Sequence, residues 1–303
     1  MAILISEKTK VLIQGITGKE GGRAADEMRI YGTEVLAGVV PGKGGLRVNG
    51  VRVYNTVGEA LKRHPEINAT LVVVSPRFVK EAALESIMAG IPLINILTEN
   101  ILVEDAAMLV AWARLKNVTL IGPSSVGIIS PGKAKIGSIG SGSTRHVFTP
   151  GPIGIVSKSG GMTAEIAQTL SRAGWGQSTA LGIGGDQIIG FDFVDALKLF
   201  TLDSQTKAVI LFGEVGGTYE EQAADYIRNN NYKKPVIAII AGKFTETLPA
   251  GTILGHAGTI VSRGRGSYAS KVKAFNRAGA NVAGSLDEAM KILKRLLTGK
   301  KQL

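Results

Sequence analysis

Gly255–His256–Ala257–Gly258 sets one of the three histidines of this 303-residue chain on a Gly-flanked loop instead of in a packed element. Imidazole keeps a nucleophilic nitrogen free near neutrality and can take up a phosphoryl group as a covalent intermediate. Taken alone, His256 reads as a loop histidine held by its neighbours; the rest of the chain turns the reading toward catalysis. There is no cysteine, so thiolate nucleophiles, disulfides and Cys-based metal sites are excluded, and covalent chemistry falls to histidine, serine or a carboxylate. Gly213–Glu214–Val215–Gly216–Gly217 follows an apolar run and puts Glu214 at the carboxyl edge of a sheet, where it can orient an imidazole and stabilise its charged form. The alternative is that Glu214 caps the following helix, although Thr218 already stands in the capping position. His64, before Pro65, and His146 have no carboxylate or Gly-rich loop beside them and read as structural. No metal site is expected.

Three further loops face anions. Gly15–Ile16–Thr17–Gly18–Lys19–Glu20–Gly21 follows the first strand and opens the first helix, where unpaired N–H groups and the helix dipole favour a phosphate. Its glycine spacing is not that of the dinucleotide fingerprint. The second strand ends in Val40–Pro41–Gly42–Lys43–Gly44–Gly45 rather than in the acid that would hold a ribose hydroxyl, which weighs against NAD. Lys43 there suits the phosphate of another nucleotide cofactor, although each loop alone is also readable as a tight turn with a solvated lysine. Ser157–Lys158–Ser159–Gly160–Gly161 lies between a strand and a helix starting near Met162 and forms a second anion site.

The elements that carry these loops alternate in type from end to end, which indicates parallel sheets built from βαβ units. In the first half, strands are expected over 11–14, 34–40, 70–74, 93–97 and 119–121, as a five-stranded Rossmann-like sheet. Asn49–Gly50 marks a hairpin, Gly32 and Gly90 mark helix ends, and Thr56–Glu59 is a capping box. Irregular chain from Pro131 to Pro152 is expected to close this unit, giving domains 1–148 and 149–303. The second half repeats the pattern at 153–156, 178–181, 208–212, 236–240 and 281–283, as a second doubly wound, flavodoxin-like domain. Thr218–Glu221 and Ser285–Glu288 are capping boxes of two of its helices. With 45% hydrophobic residues but no apolar run near the ~20 that span a bilayer, and no secretory leader, a soluble cytoplasmic protein is expected. The net charge of +11 favours polyanionic partners. The basic residues are dispersed, with modest clusters at Arg263/Arg265/Lys271/Lys273 and in the last helix, and aromatics are only 5%, so phosphorylated cofactors and acidic substrates fit better than nucleic acid.

Gly15–Gly21, Val40–Gly45, Leu97–Thr98–Glu99, Ile183–Gly184–Gly185–Asp186, Gly213–Gly217 and Gly255–Gly258, in that order, closely resemble the α subunit of succinyl-CoA synthetase, nearly end to end. The resemblance implies a coenzyme A-binding first domain and a ligase second domain, working in a hetero-oligomer with a β-type ATP-grasp subunit that binds ATP and Mg²⁺. It implies that His256 is the phosphohistidine and Glu214 its partner. Thr17, Gly18, Lys19, Glu20, Lys43, Ser75, Pro76, Leu97, Thr98 and Glu99 would lie along coenzyme A. Ser157, Ser159, Gly160 and Gly161 would belong to the loop that holds phosphate and the acid.

Two segments depart from the succinate-using pattern. Gly122–Pro123–Ser124–Ser125–Val126–Gly127 stands where those enzymes usually carry Gly-Pro-Asn-Cys-Pro-Gly, and Ser159–Gly160–Gly161–Met162–Thr163–Ala164–Glu165 where they carry Ser-Gly-Thr-Leu-Thr-Tyr-Glu. The Ser-Gly-Gly-Met form is similar to ATP citrate lyase, and Gly161 and Ala164 would enlarge the acid pocket. Since the chain stops at Leu303, without a cleavage domain, citryl-CoA synthetase is the expectation, with succinyl-CoA synthetase or a malate ligase as alternatives. Gly22–Arg23 also replaces the usual Thr-Phe-His type sequence, which puts the side-chain contacts to coenzyme A in question there but not the backbone ones. A noncatalytic coenzyme A sensor is disfavoured by the retention of both His256 and Glu214.

Overall fold

Parallel strands joined by crossover helices account for most of the chain in the computed structural model, which describes residues 3–140, 144–247 and 265–299. The first sheet contains β1 (Lys10–Gln14), β2 (Glu34–Val39), β3 (Arg47–Val48), β4 (Val51–Tyr54), β5 (Ala69–Val72), β6 (Leu93–Ile96) and β7 (Thr119–Ile121). Its order is β3-β4-β2-β1-β5-β6-β7, with every pair parallel except the β3–β4 hairpin. Helices α1 (Lys19–Tyr31), α2 (Val57–Arg63), α3 (Val79–Met88) and α4 (Val103–Leu115) make its crossovers. From β4 onward the order is that of a Rossmann sheet, so the strands extend beyond the expected five. The additions come from the Asn49–Gly50 turn, both of whose residues take positive φ and fold β3 back on β4.

The second sheet holds β8 (Gly127–Ser130), β9 (Ala134–Gly137), β10 (Pro150–Ser157), β11 (Gln177–Gly182), β12 (Ala208–Glu214), β13 (Val236–Ala241) and β14 (Asn281–Ala283), ordered β14-β13-β12-β10-β11-β8-β9. Its parallel part has the flavodoxin-like order. Helices α5 (Thr144–Val147), α6 (Gly160–Arg172), α7 (Phe193–Leu202), α8 (Tyr219–Asn229), α9 (Tyr268–Arg277) and α10 (Leu286–Thr298) surround it. The stretch expected to be irregular contains a strand, β9, which pairs antiparallel with β8, and β8 pairs antiparallel with β11. The chain therefore changes sheets between β7 and β8, ahead of the expected 148/149 division. Glycines hide these strands in the sequence, yet they are what lets them pair closely: a Cβ on Gly127 would lie 1.9 Å from the Ile136 carbonyl oxygen.

Capping follows the sequence at two of three boxes. Thr56 and Ser285 accept from the amides of Glu59 and Glu288, whose carboxylates reach back to the amides of Asn55 and Gly284. At α8 the box does not form. Thr218 Oγ1 instead accepts from Gln222, and Glu221 turns to the Gly266 amide and the Ser270 hydroxyl.

The two sheets share one contiguous apolar cluster that runs from Ile13 and Met28 through Ile136 to Leu181 and Phe200. Polar contacts lock the seam at the end of α1. Thr33 Oγ1 donates to the Lys135 carbonyl and accepts from the Lys135 amide, both at 2.9 Å, while Lys135 Nζ, with no exposed surface, lies 3.0 Å from Glu27. Burial pushes the Lys135 ammonium below its usual range and Glu27 pulls it back up. Removing one member of such a pair leaves the other charge buried and uncompensated. Glu27→Gln is therefore expected to cost about 3 kcal/mol in urea unfolding, and Glu27→Leu/Lys135→Met markedly less. An equal loss in both variants would mean that the ion pair does not hold the seam.

Candidate functional site

Each parallel sheet opens at the point where its crossovers leave in opposite directions. In the first sheet this point lies between β1 and β5. The loops beyond the strand ends are ordered by continuation of the ladder: Gly15 N donates to Val39 O, Val73 N to Gln14 O and Leu97 N to Val72 O, each at 3.0 Å. The result brings Thr17–Glu20, Lys43, Ser75–Pro76 and Leu97–Glu99 to one edge. Lys43 is exposed and its Nζ lies 3.2 Å from Thr17 Oγ1, joining the two loops chosen for phosphate. Gly18 is the N-cap of α1 and has no side chain to satisfy the first-turn amides, leaving them for a ligand. Gly15, at φ +90°, makes the turn, and Gly21 sits so close beneath it that a Cβ would meet the Gly15 carbonyl oxygen at 2.3 Å. Thr98 Oγ1 donates to Val74 O at 2.8 Å, tying the β5 and β6 loops together.

In the second sheet the switch lies between β10 and β12. Their register pairs Ser157 with Phe212, so the 157–161 turn and Glu214 end up side by side at the carboxyl edge. The Ser157 hydroxyl is buried and donates to the Ser159 carbonyl, and Ser159 Oγ caps α6 at the Met162 amide. What this turn offers an anion is thus the first-turn backbone of α6, at Gly160 and Gly161, more than its hydroxyls. A Cβ on Gly161 would meet nothing within 4 Å. His256 lies outside the described residues. Of the other histidines, His64 caps the end of α2 with Nε2 3.1 Å from the Tyr54 hydroxyl and Nδ1 3.9 Å from Glu66, and His146 is exposed on α5.

Segment 122–127 joins the two edges. Ser124 N donates to Thr98 O, Ser125 Oγ donates to Gly182 O at 2.6 Å, and Val126 packs where a Cβ on Gly160 would stand. The departure from the family pattern at this segment therefore lies between the two carboxyl edges.

A buried charge cluster beneath Glu214 was not read from the sequence. Glu220, with no exposed surface, accepts the Glu214 amide at 3.1 Å, lies 3.4 Å from Lys158 Nζ and contacts Lys271 Nζ. Lys271 also donates to the Gly216 carbonyl at 2.7 Å. It is fully buried, so the basic cluster expected around 263–273 is not a surface patch at that residue. Burial lowers its proton affinity, and Glu220 opposes the shift. A signal did exist: Glu220, Ala223, Ala224 and Ile227 follow the helical period of the buried face, as do Lys271 and Phe275.

Comparison with known proteins matches residues 6–100 to the CoA binding domain and residues 156–281 to the CoA-ligase family. The two sheets with their carboxyl-edge sites thus define a coenzyme A-binding acid–thiol ligase chain. It is 46% identical over 297 residues, 98% of this chain and 100% of the other, to a succinate–CoA ligase [ADP-forming] α subunit of Archaeoglobus fulgidus. It is 38% identical over 296 residues, 98% of each chain, to a subunit of the ADP-forming sulfoacetate–CoA ligase of an Acholeplasma species. ATP citrate lyase from Methanothrix soehngenii superposes with a TM-score of 0.90 at 24% identity, over 99% of this chain but only 52% of the lyase. The chain belongs to the family of succinate–CoA ligase [ADP-forming] α subunits. Among the described residues no helix is long and apolar enough to cross a membrane.

The approach of Gly21 to Gly15 can be tested directly. Gly21→Ala is expected to destabilise the chain by roughly 1–3 kcal/mol and to weaken coenzyme A, because a backbone carbonyl cannot yield. Gly22→Ala is the control, since its Cβ would meet nothing nearer than 3.6 Å. Urea unfolding and calorimetric titration of both variants provide the check; equal behaviour would show that the turn relaxes freely.

Proposed function

We propose that the chain is the α-type subunit of an ADP-forming acid–CoA ligase that works through a phosphohistidine at His256, with succinate as its acid. The end-to-end relation to succinate–CoA ligase α subunits carries this reading, and the juxtaposition of Glu214 with the 157–161 turn supports it. The first sheet holds coenzyme A along the 15–20, 43, 75–76 and 97–99 edge, with Lys43 facing a phosphate. The second sheet carries out phosphoryl transfer. A β-type partner binds ATP and Mg²⁺.

ATP phosphorylates the His256 imidazole and ADP leaves. Glu214 orients the ring and stabilises its positive charge. The substrate carboxylate then attacks phosphorus, freeing His256 and forming an acyl phosphate, whose phosphate is held by the first-turn amides of α6. Coenzyme A attacks the acyl carbon, its thiol loses a proton, phosphate leaves, and a thioester remains. Phosphorylation of the carboxylate turns its oxygen, a poor leaving group, into phosphate, which the thiol can displace.

Citrate is the second reading, favoured by Gly161 and Ala164, where the succinate enzymes carry Thr and Tyr. The open space at Gly161 leaves room for a larger acid, yet equally for a threonine side chain. The likeness to ATP citrate lyase concerns the fold alone.

Two experiments on the chain reconstituted with its β-type partner test the proposal. Incubation with γ-labelled ATP is expected to give an acid-labile, base-stable phosphoramidate that is lost in His256→Ala; label persisting on that variant would sink the assignment. The kcat/KM for succinate is expected to exceed that for citrate. The reverse preference, abolished by Gly161→Thr/Ala164→Tyr, would move the acid to citrate and leave the ligase mechanism standing.

A further inference from the structure

Glu220 is a single carboxylate on which three separate elements converge. Its Oε1 accepts the backbone amide of Glu214 at the end of β12 and lies 3.4 Å from the ammonium of Lys158, within the 157–161 turn at the end of β10. Its Oε2 meets Lys271 of α9, whose ammonium also reaches the Gly216 carbonyl in the Glu214 turn. Glu221 completes the charge balance: its Oε1 accepts from the Gly266 amide and the Ser270 hydroxyl, and its Oε2 lies 3.9 Å from Lys271. Gly216 N in turn donates to Gly266 O at 2.7 Å. Glu220, Lys158 and Lys271 have essentially no exposed surface, and the Lys158 ammonium lies over the Tyr219 ring. None of these ammonium groups is positioned to bind a solvent-borne anion. The space is tight as well, since a Cβ on Gly213 would stand 2.5 Å from Glu220 Cγ.

We propose that Glu220, held by Lys158 and Lys271, is a positioning residue that fixes Glu214 relative to the 157–161 turn and to the start of α9. It does not touch substrate. A core of the same shape would be simpler to build from apolar side chains, since buried ion pairs contribute little net stability. What an apolar core cannot do is accept the Glu214 amide and hold two strand-end loops in a single register. The inference rests on the reading of Glu214 as the partner of the phosphorylated histidine.

The test is the rate of labelling by γ-labelled ATP in the α–β complex for wild type, Glu214→Gln, Glu220→Gln and the double variant, with coenzyme A affinity and thermal unfolding measured alongside. Glu220→Gln is expected to slow labelling roughly tenfold or more, at a temperature where it is folded and binds coenzyme A normally. The double variant is expected to be no slower than Glu214→Gln, because a residue acting through Glu214 adds nothing once that charge is gone. Should Glu220→Gln not fold, Glu220→Asp keeps the charge, withdraws it from the Glu214 amide and carries the same expectation. Wild-type labelling in the folded Glu220 variant, or effects that multiply in the double variant, would overturn the inference. Wild-type labelling in Glu214→Gln would instead overturn the role of Glu214 itself.

Discussion

A parallel strand can rejoin its neighbour only through a crossover, and where successive crossovers leave in opposite directions the carboxyl edge of the sheet cannot close over itself. This constraint acts twice in the chain, between β1 and β5 and between β10 and β12. Each opening is edged by strand-end loops whose glycines let backbone approach backbone and by the first turn of a helix, uncapped by any side chain at α1 and capped at α6 only by Ser159 on the Met162 amide. The loops at 15–21 and 157–161 are local solutions to the same geometric problem. Both favour an anion for the same reason.

The two openings are useful to one reaction only if they keep a fixed relation. The α1 helix contributes at both ends: its first turn carries the anion loop of the first sheet, and its last turn and the residues just beyond are locked to β9 through Glu27, Thr33 and Lys135. Segment 122–127 makes the second connection, bonded to Thr98 on one side and packed against Gly160 on the other. Changes in that segment therefore bear on the distance between the two edges, and the departure from the family pattern falls there.

Within the second sheet the charge cluster around Glu220 has the same character. Its members lie far apart in sequence, and each would be costly to bury alone. Together they neutralise one another while tying β10, β12 and α9 to the turn that presents Glu214. Polar satisfaction and positioning are thus provided by the same atoms. Outside this cluster, at the exposed start of α6, Gly161 leaves the helix open to solvent.

Local pattern was enough to determine much of this protein. Alternating apolar runs and helical periods placed all ten expected parallel strands, and Asn49–Gly50, Thr56 and Ser285 announced their turn and caps because such signals depend on residues a few positions apart. The glycine-bearing loops at the strand ends were legible for the same reason, and their order along the chain carried the family. Tertiary structure decided the rest. The strands β8 and β9 read as loop because their glycines lower β-propensity, and only the pairing of β8 with β11 and of β9 with β8 makes them strands. Thr218 lost its capping box when Glu221 found partners on Gly266 and Ser270. Lys271 reads as surface charge until it is seen paired with Glu220, 51 residues away, because no local period links two helices on either side of a strand. Sequence records which residues can bind a proton or an anion; whether such a residue is buried, and with which counter-charge, is settled only by the packing of distant segments.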